Sequence, residues 1–414
     1  MENKGSSHPE MKGMSRRGIL ASAALGLAVL CGFSSAPAHA LNMLRTNGRN
    51  IVDSNTGAVV RLRGVNLGGW LVLEKWMTPM DSGNLVDTYS VMKELDRRFG
   101  VATQQSLMKT YQDNWITTTD LDNIRAGGYN VVRVPVWWGN FYALDNVSNS
   151  GWRSDAFTQL DWVVNNAGAR GLYVIIDMHG VVGSQSLSDT TGQANRNEYW
   201  SNGNHQGNTA WMWWQIANRY KGNGTVAGYD LINEPIGAPN AAAVWSAYDS
   251  LYKTVRSADP NHIVIMEGAY GNWNWNMLPN PAQYGWTNVV YEMHEYQFNG
   301  NSAQVQQGAT NQVTDFNNHA SWNVPGYIGE FNSMGTGSGT WAATKATYDN
   351  AGLSWTMWSY KATHGLVPDS WGWYDPTYWP ATPNISTDSA ATISSKWQQW
   401  KTTTSFGKNN SISM

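Results

Sequence analysis

Two short motifs put a carboxylate where an apolar run stops. Asn233-Glu234-Pro235 closes "VAGYDLINEP", and Gly329-Glu330-Phe331 lies in "GYIGEFN". Similar runs end in other polar-tipped side chains. Arg133 lies in "YNVVRVPVWW", His179 in "GLYVIIDMHG", His294 and Tyr296 in "NVVYEMHEY", and Trp358 in "GLSWTMWSYK". Each has an ordinary reading. Asn-Glu-Pro is most often a turn, a strand-end histidine is most often a hydrogen-bonded structural residue, and Arg133 could neutralise a buried acid. Brought together, the same groups would cost several kcal/mol in desolvation unless mutually paired, and no fold requires that cost. A pair of carboxylates facing one site suits cleavage of a glycosidic bond. One protonates the leaving oxygen, and the other attacks or activates water. A zinc or iron centre is the chemical rival. No H-x-H or H-E-x-x-H spacing is present, His294-Glu295 lacks a second histidine, and Asp177 with His179 makes only one pair. A serine triad would want G-x-S-x-G, which is absent. The expectation is chemistry with no metal and no cofactor.

Such residues need a frame that delivers them to one rim. Eight short β-rich runs recur, at 61–65, 129–138, 171–180, 226–235, 262–268, 288–296, 326–332 and 352–361. Helices are plausible between them at 119–126, 154–169, 209–220, 241–258, 303–317 and 340–350. Near-continuous apolar strands alternating with helices predict a parallel sheet buried on both faces. Eight units predict an α/β fold, a single closed (β/α)8 TIM barrel whose site sits at the C-terminal ends of the strands. An open doubly wound sheet is disfavoured because no Gly-rich phosphate turn follows an early strand. Asn47-Gly48 and Asn55-Thr56-Gly57 predict a small N-terminal β-hairpin before the first barrel strand. Segments 81–118 and 184–208 read as insertions in βα loops. The barrel domain is assigned to 41–400, and the polar tail at 401–414 is expected to fray.

Composition bounds the partners. Formal net charge is -3, so neither nucleic acid nor an anionic membrane is suggested. Tryptophan is high, with 24 residues against 8 Phe. Its broad face suits the C–H surface of a sugar ring, although about half of these residues are expected to be core. Residues 1–40 read as a cleavable export signal. Ser15-Arg16-Arg17 followed by an apolar stretch resembles a twin-arginine signal, with a general secretory signal as the alternative, and Ala38-His39-Ala40 is a small-x-small cleavage site. The one cysteine, Cys31, falls inside that segment, so the mature chain is expected to hold no disulfide. The predicted location is periplasmic or extracellular. The mature protein is expected to have no membrane span and to be a monomer.

From the first barrel strand to Trp358 the chain resembles the glycoside hydrolases of family 5. "NEP" matches that family's acid/base motif and "GEF" its nucleophile motif. The resemblance implies Glu234 as acid/base and Glu330 as nucleophile. It places Arg133, His179, Asn233, His294, Tyr296 and Trp358 among the residues that bind or orient. "RGVNLGGWLVLEKWMTP" and "DMHGVVGSQ" are similar to exo-β-1,3-glucanases, in which the residue matching Glu74 binds sugar hydroxyls. This implies a β-glucan substrate with β-1,3 linkages favoured. Endo-β-1,4-glucanase is the alternative, followed by β-1,6-glucanase and a non-catalytic carbohydrate-binding barrel. The pattern departs at Ser186, where Asn is usual, at "GEF" in place of "GEW", and in "WSYKATHG".

Overall fold

The structure is a computed structural model that describes residues 41–268, 275–363 and 371–412. The export segment, with Arg16, Arg17, Cys31 and the cleavage site near Ala40, lies outside the described residues, as do His364 and Gly365 of "WSYKATHG".

The strands are β1 (Leu44–Asn47), β2 (Asn50–Asp53), β3 (Arg63–Asn66), β4 (Val131–Trp137), β5 (Tyr173–Gly180), β6 (Val226–Asp230), β7 (Ile263–Glu267), β8 (Val289–Glu295), β9 (Gly326–Phe331), β10 (Ser354–Met357), β11 (Tyr374–Pro376) and β12 (Phe406–Lys408). The helices are α1 (Thr88–Phe99), α2 (Val101–Trp115), α3 (Thr118–Ala126), α4 (Thr158–Gly168), α5 (Gly203–Tyr220), α6 (Ala241–Ala258), α7 (Ser302–Asn318), α8 (Ser338–Asn350), α9 (Ala390–Trp397) and α10 (Thr402–Ser405). Strands β3 to β10 are all parallel and close into an eight-stranded barrel, β10 pairing with both β9 and β3. This is the expected TIM barrel, and β1 with β2 forms the expected hairpin.

Alternation along each strand divides the core in two. Val131, Tyr173, Ile175, Ile263, Ile265, Val290 and Tyr327 fill the barrel interior together with Leu44 and Ile51 of the hairpin. Val132, Val134, Val174, Ile176, Val264 and Met266 face the helices in the outer layer. Two strand residues further on, the interior stops being apolar. Arg133, Asp177, Asp230, Glu267 and Glu292 are all fully buried there. The hydrophobic filling thus ends below a buried layer of charge.

The insertion 81–118, between β3 and β4, holds α1 and α2, and two other expectations are corrected. Asp87 caps α1 by accepting from the Ser90 N–H, and Val91, Met92 and Leu95 bury one face. The first barrel strand begins at Arg63 rather than 61. The tail from Lys401 is docked: β12 pairs antiparallel with β11, and Phe406 and Ile412 are buried. Its anchor is Lys361, a buried lysine just past β10. The Lys361 Nζ donates to the carbonyls of Trp115 (2.7 Å) and Trp400 (3.1 Å) and to Thr402 Oγ1 (3.1 Å). Burial lowers its pKa to about 8.

Candidate active site

Arg133 is the hub. It rises from β4 inside the barrel, and each of its guanidinium nitrogens has an acid in reach. Nη1 donates to Glu330 Oε1 (2.8 Å) and to Asn66 Oδ1 (3.2 Å). Nη2 donates to Asp230 Oδ2 (2.7 Å) and Asn233 Oδ1 (2.9 Å) and lies 3.2 Å from Asp177 Oδ1. Nε donates to Asp230 (3.0 Å) and lies 3.4 Å from Glu292 Oε1. One cation thus serves four carboxyls from β5, β6, β8 and β9.

Glu330 projects from β9 with both oxygens bonded. Its Oε2 accepts from the Tyr296 hydroxyl at 2.8 Å, opposite the Arg133 contact. Burial raises its pKa, while Arg133, His179 and the Tyr296 hydrogen bond pull it back. Glu234 sits just past β6 in a left-handed conformation, φ 42°. Its Oε1 lies 3.0 Å from His294 Nδ1. Burial and the neighbouring Glu330 and Glu74 carboxyls hold its pKa well above the usual carboxylate range, with Arg133 offsetting only part. The two glutamates therefore differ in degree: both are raised, but the one bonded to a cation and a phenol less than the one beside a neutral imidazole and further acids, so Glu234 is the one that keeps its proton to higher pH.

The motif neighbours explain themselves locally. The Gln185 Nε2 of "GSQ" donates to the carbonyls of Asn233 (2.7 Å) and His179 (2.8 Å), tying the loop after β5 to the Glu234 turn. Gly329 leaves room for the Glu292 side chain, since a Cβ there would fall 1.5 Å from Glu292 Oε1. His179 Nδ1 faces Asp177 Oδ2 at 2.7 Å, and its ring stacks on Trp358 (5.5 Å, 11°). Burial lowers the His179 pKa to about 4, so the ring is neutral at pH 7. The Asp177–His179 pair is thus a hydrogen bond that fixes a tautomer.

A cavity of about 370 Å³ opens above this layer, lined by Glu74, Trp76, His179, Thr190, Glu234, Tyr296, Phe298, Glu330, Trp358 and Trp371. Six of the nine expected site residues therefore line one cavity: Glu74, His179, Glu234, Tyr296, Glu330 and Trp358. Arg133, Asn233 and His294 are not among its lining residues. Arg133 bonds Glu330, His294 lies beside Glu234, and Asn233 bonds Arg133. Glu74 is buried, accepts from Trp76 Nε1 (2.7 Å), and has its pKa raised to about 8 by burial. Trp76, Phe298 and Trp371 form an aromatic wall that sequence reasoning missed, with Trp371 5.1 Å from Trp76 and 5.8 Å from Tyr296 between ring centres. Also missed were Asp230, Glu267 and Glu292 as members of the network. The available signal was a carboxylate interrupting an apolar strand, as in "VIME" and "VVYE".

Among the described residues, Glu234, Glu267 and His294 could offer ligand atoms to a metal ion, these lying within 4.8 Å of one another. Glu267 Oε2 already accepts the Glu234 backbone N–H (2.5 Å) and the His294 Nδ1 is within hydrogen-bond reach of Glu234.

Residues 94–364 match the family model described as cellulase, glycosyl hydrolase family 5. The chain belongs to glycoside hydrolase family 5. Curated relatives within reach of this family 5 chain include a β-xylosidase of Phanerodontia chrysosporium, 26% identical over 61% of the chain and 52% of the relative. Another is a probable glucan 1,3-β-glucosidase A of Aspergillus niger, 30% identical over 64% of the chain and 61% of the relative. The chain thus spans about half to three fifths of the length of these relatives. The solved structure of rutinosidase from Aspergillus niger shares the fold, with a TM-score of 0.61 at 20% identity, covering 75% of this chain and 95% of that one. No helix among the described residues is long and apolar enough to cross a membrane.

Proposed function

We propose that the protein is a secreted, retaining β-glucanase that cleaves β-glucan by double displacement and prefers β-1,3 linkages. The observation that carries this reading is the pair Glu234 and Glu330, which share one cavity, Glu330 bonded to Arg133 and Tyr296 and Glu234 with the more strongly raised pKa. Glu330 attacks the anomeric carbon as the anion held by Arg133 and Tyr296. Glu234 protonates the leaving oxygen, then takes a proton from water as the glycosyl–enzyme bond is hydrolysed. His294 Nδ1 lies 3.0 Å from one glutamate and 3.5 Å from the other. That closeness fits the ~5–5.5 Å carboxyl spacing of retaining enzymes better than the ~6.5–9.5 Å spacing that admits a water between them. Asn233 has its Oδ1 occupied by Arg133, which leaves its amide N–H to donate to the sugar 2-hydroxyl. Trp358 forms the floor, held against the neutral ring of His179. The protein acts as a monomer on one glucan chain and needs no cofactor.

Linkage preference rests on Glu74 and on the glucan 1,3-β-glucosidase name carried by the Aspergillus niger relative. A neutral Glu74 can donate to one sugar hydroxyl and accept from another, so an epimer leaves a buried group unpaired. Laminari-oligosaccharides should be cleaved faster than cello-oligosaccharides of equal length, measured as kcat/KM. The reverse order would transfer the protein to the endo-β-1,4 reading. Glu74→Ala should lower kcat/KM on glucosides by about 10–10²-fold, the worth of a ~1.5–3 kcal/mol hydrogen bond to a charged or strongly polar group. An unchanged preference for glucose would remove Glu74 from this role. Failure to hydrolyse any aryl β-glucoside would leave a carbohydrate-binding barrel.

Export is proposed to follow the folded-protein route, supported by Ser15-Arg16-Arg17 and the lack of cysteine after residue 31. Changing Arg16 and Arg17 together to Lys should stop export while cell-associated activity remains. Export at the original level would point to the general secretory route.

A further inference from the structure

We propose that Glu267 is a positioning residue for the acid/base glutamate: its carboxyl takes the place of the strand partner that the Glu234 backbone lacks. The inference deepens the reading above and rests on Glu234 being the proton donor. Strand β6 ends at Asp230, four residues before Glu234. The chain has left the ladder there, with φ 42° at Glu234 and a proline next. The Glu234 N–H points into the barrel, where no backbone carbonyl takes it. Glu267, the last residue of β7, supplies Oε2 at 2.5 Å. Its Oε1 lies 3.4 Å from His294 Nδ1, the same atom that approaches Glu234 Oε1. One fully buried side chain therefore touches both the peptide of the acid/base residue and the ring beside its carboxyl.

The surroundings say that this contact is what keeps a carboxyl at 267. Lower interior positions of the same strand, Ile263 and Ile265, are apolar. Asp230 and Glu234 face Glu267 from the β6 side, Glu292 and His294 from β8, and Arg133 from β4; the acids among them disfavour a further carboxylate, and Arg133 offsets part of this. Tyr248 of α6 fixes the backbone instead, donating to the Glu267 carbonyl at 2.8 Å and accepting its N–H at 3.1 Å. A residue held this firmly by its backbone presents its side chain at a fixed reach. An isosteric amide can still accept the Glu234 N–H, whereas a shorter or apolar side chain cannot.

The test compares Glu267→Gln, Glu267→Asp and Glu267→Met on two substrates, a 2,4-dinitrophenyl β-glucoside that needs no acid and a laminari-oligosaccharide that does. Glu267→Gln should stay within a few-fold of wild type on both. Glu267→Asp and Glu267→Met should lower kcat/KM on the oligosaccharide by about 10²-fold, the scale of general acid catalysis, and by less than ~5-fold on the dinitrophenyl glucoside. Equal losses on the two substrates, or no loss in either variant, would overturn the proposal. Glu267→Asp keeps a carboxyl in the layer, so it decides the matter if Glu267→Met does not fold. Wild-type products of inverted configuration would instead refute the mechanism beneath it, and so separate the two failures.

Discussion

Glu330→Gly is expected to lose turnover on the order of 10⁵-fold, about 7 kcal/mol of transition-state stabilisation, while the fold stays intact. The reason is the bonding of that one side chain. Arg133 and Tyr296 each give it a 2.8 Å contact, so the anion is aimed at a single point over the Trp358 floor. Removing it leaves Arg133 with Asp230 as its closest partner, and the barrel below is unaffected. Azide fits the vacated volume and should restore cleavage of a good leaving group, giving the α-glycosyl azide. Glu234→Ala should fail differently. On substrates with poor leaving groups the loss is about 10²–10⁴-fold, and on a dinitrophenyl glucoside the first step survives. Azide there replaces water at the glycosyl enzyme and gives the β-glycosyl azide. The same α-azide from both variants, or none from either, would contradict the division of roles. The pH profile of kcat/KM provides a second reading. Its acidic limb should belong to Glu330 and its basic limb to Glu234, because Glu234 has the more strongly raised pKa. Glu234→Ala should therefore erase the basic limb only.

The strands that carry these groups were legible because parallel strands buried on both faces read as unbroken apolar runs, as in 131–137, where every residue is buried. The polar ends stood out against them. The helices of the 81–118 insertion were less legible, since α2 is rich in Gln and starts at a glycine with no side-chain cap. The convergence of the buried acids was hidden for a different reason. Asp177, Asp230, Glu292 and Glu330 come from four strands, and only the closed barrel brings them to one guanidinium. No local pattern could report that Arg133 would be shared. The tail misled because its polarity is real, yet two apolar residues and Lys361 from a distant strand end suffice to dock it. Family likeness placed Arg133, Asn233 and His294 among the residues that bind or orient, and the geometry adds the partners: Arg133 bonds Glu330 and Asn233, and His294 lies beside Glu234.

Arg133→Met should be the most damaging single change outside the two glutamates. The methionine fills part of the volume but leaves four buried carboxyls with no cation, and breaking a buried charge pair costs about 3–5 kcal/mol. The penalty should depend on pH. Asp177 and Asp230 already have folded-state pKa values raised to about 7 and about 6, chiefly by burial, even with Arg133 present. Groups raised in this way add stability that is complete below their unfolded pKa of ~4 and lost as pH rises through the folded value. Without the arginine those values move higher still, so the native state holds more protons than the unfolded chain across neutral pH, and stability falls more steeply as pH rises. Urea denaturation should then show a large gap between wild type and Arg133→Met at pH 7.5 that narrows at pH 5. A gap independent of pH would mean that lost packing, not uncompensated charge, dominates. Arg133→Lys separates charge from geometry. An ammonium restores one positive charge but has three donors and no planar fork, so it cannot serve Asp230, Asn233 and Glu330 together. It should recover much of the neutral-pH stability and little of the activity, because Glu330 would be compensated but no longer aimed.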